Sequence, residues 1–170
     1  SIYTLSQKGF KNSIILNYDS DLNELCLWYQ QLVGESLGKK GKGIMPIVST
    51  CPRDQHSLLQ LYLDGPKDKI FTFFSTNSKK GSKLESIINA ECEATKQIFK
   101  IKKIPYRHFI FKKDDEKELG SIFTFFVLET ILLADLMNIN PYNQPAVEQV
   151  KIQTKKILES KLGSLAKNYF

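Results

Sequence analysis

The chain has 170 residues, of which 42% are hydrophobic and 25% are charged. These values are typical of one globular domain and exclude both a disordered and a fibrous protein. The net charge of +6 would suit anionic partners, but the basic residues are scattered and include only two arginines, Arg53 and Arg107. A protein that reads nucleic-acid bases is therefore not expected.

The cysteines and the apolar runs favour a cytoplasmic protein. Cys26, Cys51 and Cys92 are odd in number and lack the spacing of metal ligands, so we predict free thiols in a reducing compartment. The longest apolar run, residues 122–137, is interrupted by polar and charged side chains, and we expect it to fall short of a membrane span. We recognise no signal-peptide pattern in the first residues.

In chain order, residues 1–12 show no clear period and are predicted to be a linker or an N-terminal extension, whereas residues 13–170 are predicted to form one domain. Short, largely apolar runs predict four strands. These strands are expected at 13–18, 43–50, 70–74 and 107–111. Such runs are typical of parallel strands that are covered by helices on both faces.

Helical spacing and end signals predict the intervening elements. A helix capped by residues 19–21 should end near the glycines that begin at Gly34, which places Glu35 on or just after the helix end, in a lysine-rich loop. A helix at 52–64 puts His56 in its first turn. Further helices are predicted at 83–101, 117–138 and 146–165. The alternation predicts an α/β fold with a three-layer, doubly wound, mostly parallel sheet of the flavodoxin-like kind.

Three stretches combine acid-base side chains with turn-forming residues. They are QQLVGESLGK at 30–39, DQHS at 54–57 and NPYNQPAVEQVK at 140–151. Their carboxylate, imidazole and ammonium groups, on Glu35, His56 and Lys151, are suited to proton transfer. Taken singly, each is as easily a solvated surface group or, for His56, a polar helix cap. The rule that ligands gather at the carboxyl ends of parallel strands does not place Glu35, because Glu35 follows a helix.

In this order the three stretches resemble segments of phosphoglucose isomerase, a family also called glucose-6-phosphate isomerase. The resemblance covers residues 12–162 and corresponds to the C-terminal half of the family, so it implies that residues 13–170 are its second sugar isomerase (SIS) domain. The chain departs from the family pattern at two positions. The family has Asp more often than Asn at position 143, and it usually has Gly where Ala146 stands.

The resemblance implies a function and a set of site residues. The family interconverts glucose 6-phosphate and fructose 6-phosphate through a cis-enediol, in glycolysis and gluconeogenesis, without a metal or an organic cofactor. By this resemblance Glu35 is the base that moves a proton between C2 and C1 of the sugar. His56 and Lys151 would act in ring opening, and Gln31 and Gln144 would bind sugar hydroxyls.

The resemblance also implies partners. The family's Gly-Gly-Arg segment and its Ser/Thr-rich phosphate-binding loop have no counterpart here, which implies a missing N-terminal isomerase domain and poor activity of this chain alone. In the family the histidine reaches the site from a second subunit, which implies a homodimer. A non-catalytic module that binds sugar phosphates is the alternative, although a sensor has no need of all three acid-base groups. Neither a membrane nor a nucleic acid is expected as a partner.

Other features have structural interpretations. Gln30 adjoins Gln31 and could take its role after a shift in register. The lysine-rich segment 39–42 is predicted to be a solvated turn, and His108 is predicted to be a hydrogen-bonded histidine within a strand. The aromatic clusters at 71–74 and 123–126 are predicted to lie in the core or in a subunit interface.

Overall fold

A computed structural model of the chain describes residues 1–77, 82–112 and 115–162. Its strands are β1 (Asn12–Asn17), β2 (Met45–Thr50), β3 (Lys69–Asn77) and β4 (Tyr106–Lys112). Its helices are α1 (Ile2–Gln7), α2 (Asn23–Leu37), α3 (Arg53–Ser57), α4 (Leu59–Asp64), α5 (Lys83–Ile101), α6 (Glu116–Leu136) and α7 (Pro145–Leu162). A short 3-10 turn, Ser20–Leu22, leads into α2.

Within the described residues the strands form a four-stranded sheet in the order β2-β1-β3-β4, and each neighbouring pair is parallel. At its centre Ile15 of β1 lies opposite Val48 of β2 and Thr72 of β3. The connection from β1 to β2 runs one way across the sheet, and those to β3 and β4 run the other way. Right-handed crossovers then place helices on both faces. The predicted three-layer, doubly wound α/β fold is confirmed.

Alternate side chains of the strands enter two separate cores. Ile15 and Phe74 pack against α1, α2 and α6 on one face of the sheet. Ile14 and Phe73 point the other way and pack against α4 and α5. The predicted strand at 70–74 is buried along its whole length, because both of its faces are covered.

Residues 1–12, which the sequence predicted to be a linker or an extension, contain helix α1. Ile2 is 6% exposed and joins the core that α2 and α6 cover. The N–H of Lys11 donates to the Asp68 carbonyl at 2.9 Å, which ties the end of the segment to the turn before β3. The segment is therefore packed onto the sheet layer, and the position of the domain boundary stays a prediction.

Helix α2 extends further than its glycines predicted. It runs through Gly34 to Leu37, so Glu35 lies in its last turn and not in a loop. The Gly38 N–H still donates to the Gly34 carbonyl at 3.2 Å, and the buried side chains of Val33 and Leu37 anchor the last turn in the core. Packing here outweighs the roughly 1 kcal/mol that a glycine costs within a helix.

The single helix predicted after β2 is divided into α3 and α4 at Leu58. His56 is therefore the fourth residue of a five-residue helix, in which the first and last turns overlap, and the helix does not continue to residue 64 as predicted. The Asp54 carboxylate accepts the Thr50 N–H at 2.9 Å and the Ser57 hydroxyl at 3.2 Å. These contacts tie α3 to the end of β2, a constraint that the periodicity of the sequence does not contain.

Helix α6 is long and apolar enough, by length and composition alone, to cross a membrane, contrary to the expectation from its polar interruptions. However, Phe126 and Ala134 are fully buried in the core shared with α2. Glu129 of α6 forms an ion pair with Arg107 of β4. A helix with these contacts belongs to the packed layer over the sheet.

Helix α7 is separate from both cores. Of its side chains described at 145–160, all but that of Leu158 are exposed. The helix was predicted to end at Leu165, a residue that lies outside the described part of the chain. An isolated helix of this length is marginal in water, and the described part of the chain covers little of the surface of α7.

Candidate active site

The last turn of α2 and the first turn of α7 border a cavity of about 430 Å³. Helix α2 runs antiparallel to β1 and β2, so its C-terminal end lies at the amino edge of the sheet. Helix α6 returns to the same edge from β4, and the segment between α6 and α7 crosses it. The cavity is lined on one side by Glu35, Gly38 and Lys39 and on the other by Asn140, Gln144 and Val147.

At this cavity the Glu35 carboxylate accepts hydrogen bonds from two side-chain amides. Gln31 Nε2 donates to Glu35 Oε1 at 3.1 Å, and Gln144 Nε2 donates to Glu35 Oε2 at 2.6 Å. The first contact joins residues four apart on α2, as helical spacing allows. The second joins residues 109 positions apart in the sequence. Both oxygens of the carboxylate thus accept a hydrogen bond from a group that can equally bind a hydroxyl.

Gln30 does not take the place of Gln31. Its side-chain amide donates to the Pro46 carbonyl at 3.1 Å and so faces β2. Gln31, which is exposed, contacts Glu35 directly. Of the two adjacent glutamines, Gln31 is thus the one that contacts the carboxylate, and its role in binding a sugar hydroxyl stays a prediction.

Two lysines of the loop after α2 hold the segment that leads to α7. Lys39 Nζ donates to the Ser36 carbonyl at 3.0 Å and to the Asn140 carbonyl at 2.7 Å. Lys42 Nζ donates to the Met137 carbonyl at 2.8 Å. The predicted solvated turn is present, since Lys40, Gly41 and Lys42 are exposed and Lys39 is half-buried, but two of its ammonium groups also bind carbonyls of another segment. The sequence signal for such contacts was a lysine close to the end of a predicted helix, because a cation at that position can bind the last carbonyls of the helix.

Lys151 lies on α7, one turn beyond the cavity wall at Val147. Its ammonium contacts Glu148 Oε1 at 2.8 Å, and 58% of the side chain is exposed. The hydrogen bond and the charge of Glu148 raise the pKa of Lys151, and the charge of Glu35 adds a smaller contribution in the same direction. The hydrogen-bonded partner of Lys151 is thus Glu148 on the same helix, and Lys151 is not among the residues that line the cavity.

His56 lies elsewhere. It is exposed on α3, which follows the carboxyl end of β2, whereas Glu35 precedes the amino end of the same strand. β2 has six residues, a span of about 20 Å at the usual rise of a strand. Within one copy of the chain, the imidazole and the carboxylate are thus at opposite edges of the sheet.

The buried thiols take no part in this arrangement. Cys26, Cys51 and Cys92 are all free, as predicted, and all three are buried. Burial raises the pKa of Cys26 and Cys51 to about 12 and that of Cys92 to about 11. Thiols in this state are poor nucleophiles at neutral pH, because the thiolate is the reactive form.

Curated proteins are similar to most of this chain. It is 36% identical over 164 residues to a glucose-6-phosphate isomerase of Methanocaldococcus jannaschii, a match that covers 88% of this chain and 41% of that protein. It is 30% identical over 177 residues to a glucose-6-phosphate isomerase of Campylobacter jejuni, covering 91% of this chain and 44% of that protein. The chain thus spans about two fifths of the length of these relatives. No family model matches it.

Solved structures share the fold. A hypothetical protein from Thermus thermophilus superposes with a TM-score of 0.78 at 24% identity, over 92% of this chain and 44% of that chain. A glucose-6-phosphate isomerase from Chlamydia trachomatis superposes with a TM-score of 0.76 at 16% identity, over 91% of this chain and 36% of that chain. At these identities the likeness establishes the fold.

Proposed function

We propose, on the premise that this chain is homologous to glucose-6-phosphate isomerases over most of its length, that it supplies the carboxylate side of an aldose-ketose isomerase site. The substrates would be glucose 6-phosphate and fructose 6-phosphate. The observation that carries the proposal is Glu35, which lines the cavity and accepts amide hydrogen bonds from Gln31 and Gln144. Those are the three residues for which the resemblance implies a base and two hydroxyl ligands.

The chemistry requires one base that serves two adjacent carbons. Glu35 would take the proton from C2 of the open-chain aldose and return it to C1. The hydroxyl proton would pass from O2 to O1 through the cis-enediol, which leaves the C2 carbonyl of the ketose. The side-chain amides of Gln31 and Gln144 would give up hydrogen bonds to Glu35 and donate to sugar hydroxyls. These hydrogen bonds would keep C1 and C2 beside the carboxylate. A positioned general base of this kind contributes roughly a hundred- to ten-thousandfold to a rate.

Ring opening would use Lys151 and His56. Lys151 lies on α7 one turn after Val147, which lines the cavity, and its ammonium would turn toward the sugar. Since His56 is at the other edge of the sheet, its imidazole would come from a second copy of the chain. The proposal therefore includes a homodimer, in which each site draws its carboxylate from one copy and its histidine from the other.

Exposed apolar side chains on α6 and α7 support the further proposal of a missing N-terminal isomerase domain. The outer side of α6 exposes Phe125, Leu128 and Leu132, with exposed fractions of 42%, 54% and 63%. On α7, Val147 and Val150 are 43% and 66% exposed and lie three residues apart, on one side of the helix. Surfaces of this kind mark protein interfaces. The relatives are long enough to contain such a domain, because this chain spans only about two fifths of them.

The complete enzyme, meaning this chain together with that domain, is the object to test. It would act in the cytoplasm on a phosphorylated hexose without a cofactor, and this chain alone would isomerise poorly. Two groups are missing here: the arginine that stabilises the enediolate and the loop that binds the phosphate. Loss of one oxyanion-stabilising group alone costs about a hundred- to a thousandfold in rate.

The decisive variant is Glu35→Gln in the complete enzyme. We expect release of tritium from C2 of labelled glucose 6-phosphate to fall by at least about a hundredfold, because the amide cannot accept the proton. Glu24→Gln, at the other end of α2, is the matched control and should retain the exchange. Tritium release that survives in Glu35→Gln contradicts the proposal. Tight sugar-phosphate binding without any exchange in the wild type would indicate the non-catalytic module.

A further inference from the structure

The segment between α6 and α7 decides where Gln144 lies, yet it has no regular structure to hold it. It begins after α6, which ends at Leu136, and runs to the first residue of α7. The Asn140 side chain accepts the Tyr142 N–H at 2.9 Å, which makes a local turn. Asn138 has a φ of 53°, a backbone conformation that is uncommon outside glycine. Met137 and Ile139 are buried in the core that includes α2, so it is the part from Asn140 onward that depends on other contacts for its distance from α2.

Lys39 supplies such a contact at the cavity. Its ammonium bridges the Ser36 carbonyl, in the last turn of α2, and the Asn140 carbonyl, at 3.0 Å and 2.7 Å. Ser36 is the residue after Glu35, and Asn140 lies four residues before Gln144. The Lys39 bridge thus joins a residue next to Glu35 to a residue near Gln144, and the side chains of Glu35 and Gln144 contact each other at the cavity.

The surroundings of the Lys39 ammonium agree with its position between two carbonyls. Burial lowers the pKa of Lys39, so part of its hydration has been replaced by protein. Carbonyls at the end of a helix favour a cation there, which offsets that loss. Lys40, the next residue, has a φ of 53° and is exposed. The two lysines are adjacent, but the side chain of Lys39 is the one that joins α2 to the Asn140 turn.

We infer that Lys39 is a positioning residue, which sets the contact between Gln144 and Glu35 by joining Asn140 to the last turn of α2. Its effect on the reaction rests on the function proposed above, whereas its effect on Gln144 does not. Without the ammonium, the Asn140 turn would move away from α2 and Gln144 would leave the carboxylate. Lys42 contacts Met137 further from the cavity and would affect the overall stability more than this contact.

Nuclear magnetic resonance of the 170-residue chain tests the inference without any need for activity. In a ¹⁵N-labelled sample, the side-chain amide of Gln144 is identified by the loss of its signal in Gln144→Leu. We expect that signal to lie apart from those of free glutamine amides in the wild type and to join them in Lys39→Met. Glu35→Ala, which removes the acceptor, shows where the released signal lies.

Two matched variants separate positioning from general loosening. Lys39→Arg can still donate to two carbonyls and should keep the Gln144 signal in place. Lys42→Met removes the hydrogen bond to the Met137 carbonyl and should also keep the Gln144 signal in place. The inference is overturned if Lys39→Met leaves the signal unmoved while the backbone spectrum stays dispersed, or if Lys42→Met displaces it as far. A Lys39→Met chain that does not fold is replaced by Lys39→Gln, to which the same two outcomes apply.

In the complete enzyme the same variants give a kinetic signature. We expect Lys39→Met to lower kcat about tenfold and Lys39→Arg to restore it, since misplacing a contact by about 1 Å costs a factor of this order or more. Because Lys39 acts through Gln144, Lys39→Met should add little to the effect of Gln144→Leu. Additive losses in the double variant would contradict the inference even if Glu35 is the base. Full exchange in Glu35→Gln would defeat the proposed function and leave the resonance result standing.

Discussion

His108 illustrates how neighbouring groups determine the state of a single side chain. Its Nδ1 lies 3.3 Å from Lys96 Nζ, and its Nε2 lies 2.8 Å from Ser75 Oγ. An ammonium can only donate, so Nδ1 accepts and Nε2 carries the proton that is given to Ser75. Burial lowers the pKa of His108, and the charge of Lys96 lowers it further, against a smaller opposing effect of Glu93. The predicted structural histidine is confirmed as a hydrogen-bonded residue of β4.

This environment predicts a pH dependence of stability. The unfolded chain binds a proton at His108 near pH 6.5, whereas the folded chain does so only at lower pH. Stability should therefore fall as the pH is lowered from 7.5 through 6.5, with a slope for this group below about 1.4 kcal/mol per pH unit. Urea unfolding at several pH values measures it. His108→Gln should flatten the decline between pH 7 and 5.5, and Lys96→Met should reduce it only in part, because burial remains. An unchanged slope in His108→Gln would refute the assignment.

Among the helices, α5 has the bounds that the sequence predicted, because its end signals are local. The Ser82 hydroxyl accepts the Glu85 N–H at 3.2 Å, and the Glu85 carboxylate accepts the Ser82 N–H at 2.8 Å. This capping box satisfies backbone donors that would otherwise lack partners. Helix α2 differs, since its end depends on the burial of Val33 and Leu37 beneath the neighbouring layer.

Removal of the cap should weaken the fold by a predictable amount. We expect Ser82→Ala to lower the free energy of unfolding by about 1 kcal/mol, and Ser82→Asp to stay close to the wild type. Ser121→Ala is the matched control, because the Ser121 hydroxyl bonds a carbonyl within α6 and caps no helix end. Urea denaturation monitored by circular dichroism measures all three. Equal losses of unfolding free energy in Ser82→Ala and Ser121→Ala would show that the Ser82 cap stabilises the fold no more than a serine within a helix does.

At the scale of the whole molecule, the parallel sheet separates the groups that the proposed reaction needs. Each helix returns the chain from the carboxyl edge to the amino edge, so residues at a helix end and residues just after a strand lie at opposite edges. Glu35, Gln144 and Lys39 meet at the amino edge, and His56 lies beyond the carboxyl edge. A site that uses both edges must be shared between copies.

A mixing experiment tests the sharing. The complete enzyme with Glu35→Gln and the complete enzyme with His56→Ala should each be nearly inactive. When they are mixed and allowed to exchange subunits, hybrid dimers contain one site that has both wild-type groups. Random exchange should restore about a quarter of the wild-type activity in a two-fold symmetric dimer. Mixing each variant with itself is the control, and no recovery after verified exchange would show that the histidine is not supplied by the second copy.

The sequence by itself determined the strands, the α/β class and helix α5, and it singled out the stretches at 30–39 and 140–151 that border the cavity. Apolar runs, caps and the resemblance of three short segments carry that information, because each depends on residues close together in the chain. The same local signals misplaced the end of α2 and the break at Leu58, where packing and the contacts of Asp54 prevail over periodicity.

Only the tertiary structure decided which of the candidate residues meet. The contact of Glu35 with Gln144 and that of Lys39 with Asn140 span 109 and 101 positions of the sequence. Contacts of this kind arise when α2 and α6 pack side by side on one face of the sheet and deliver their ends to the same edge. No local pattern encodes that packing, and for the same reason the separation of His56 from Glu35 became visible only once the order and direction of the strands were known.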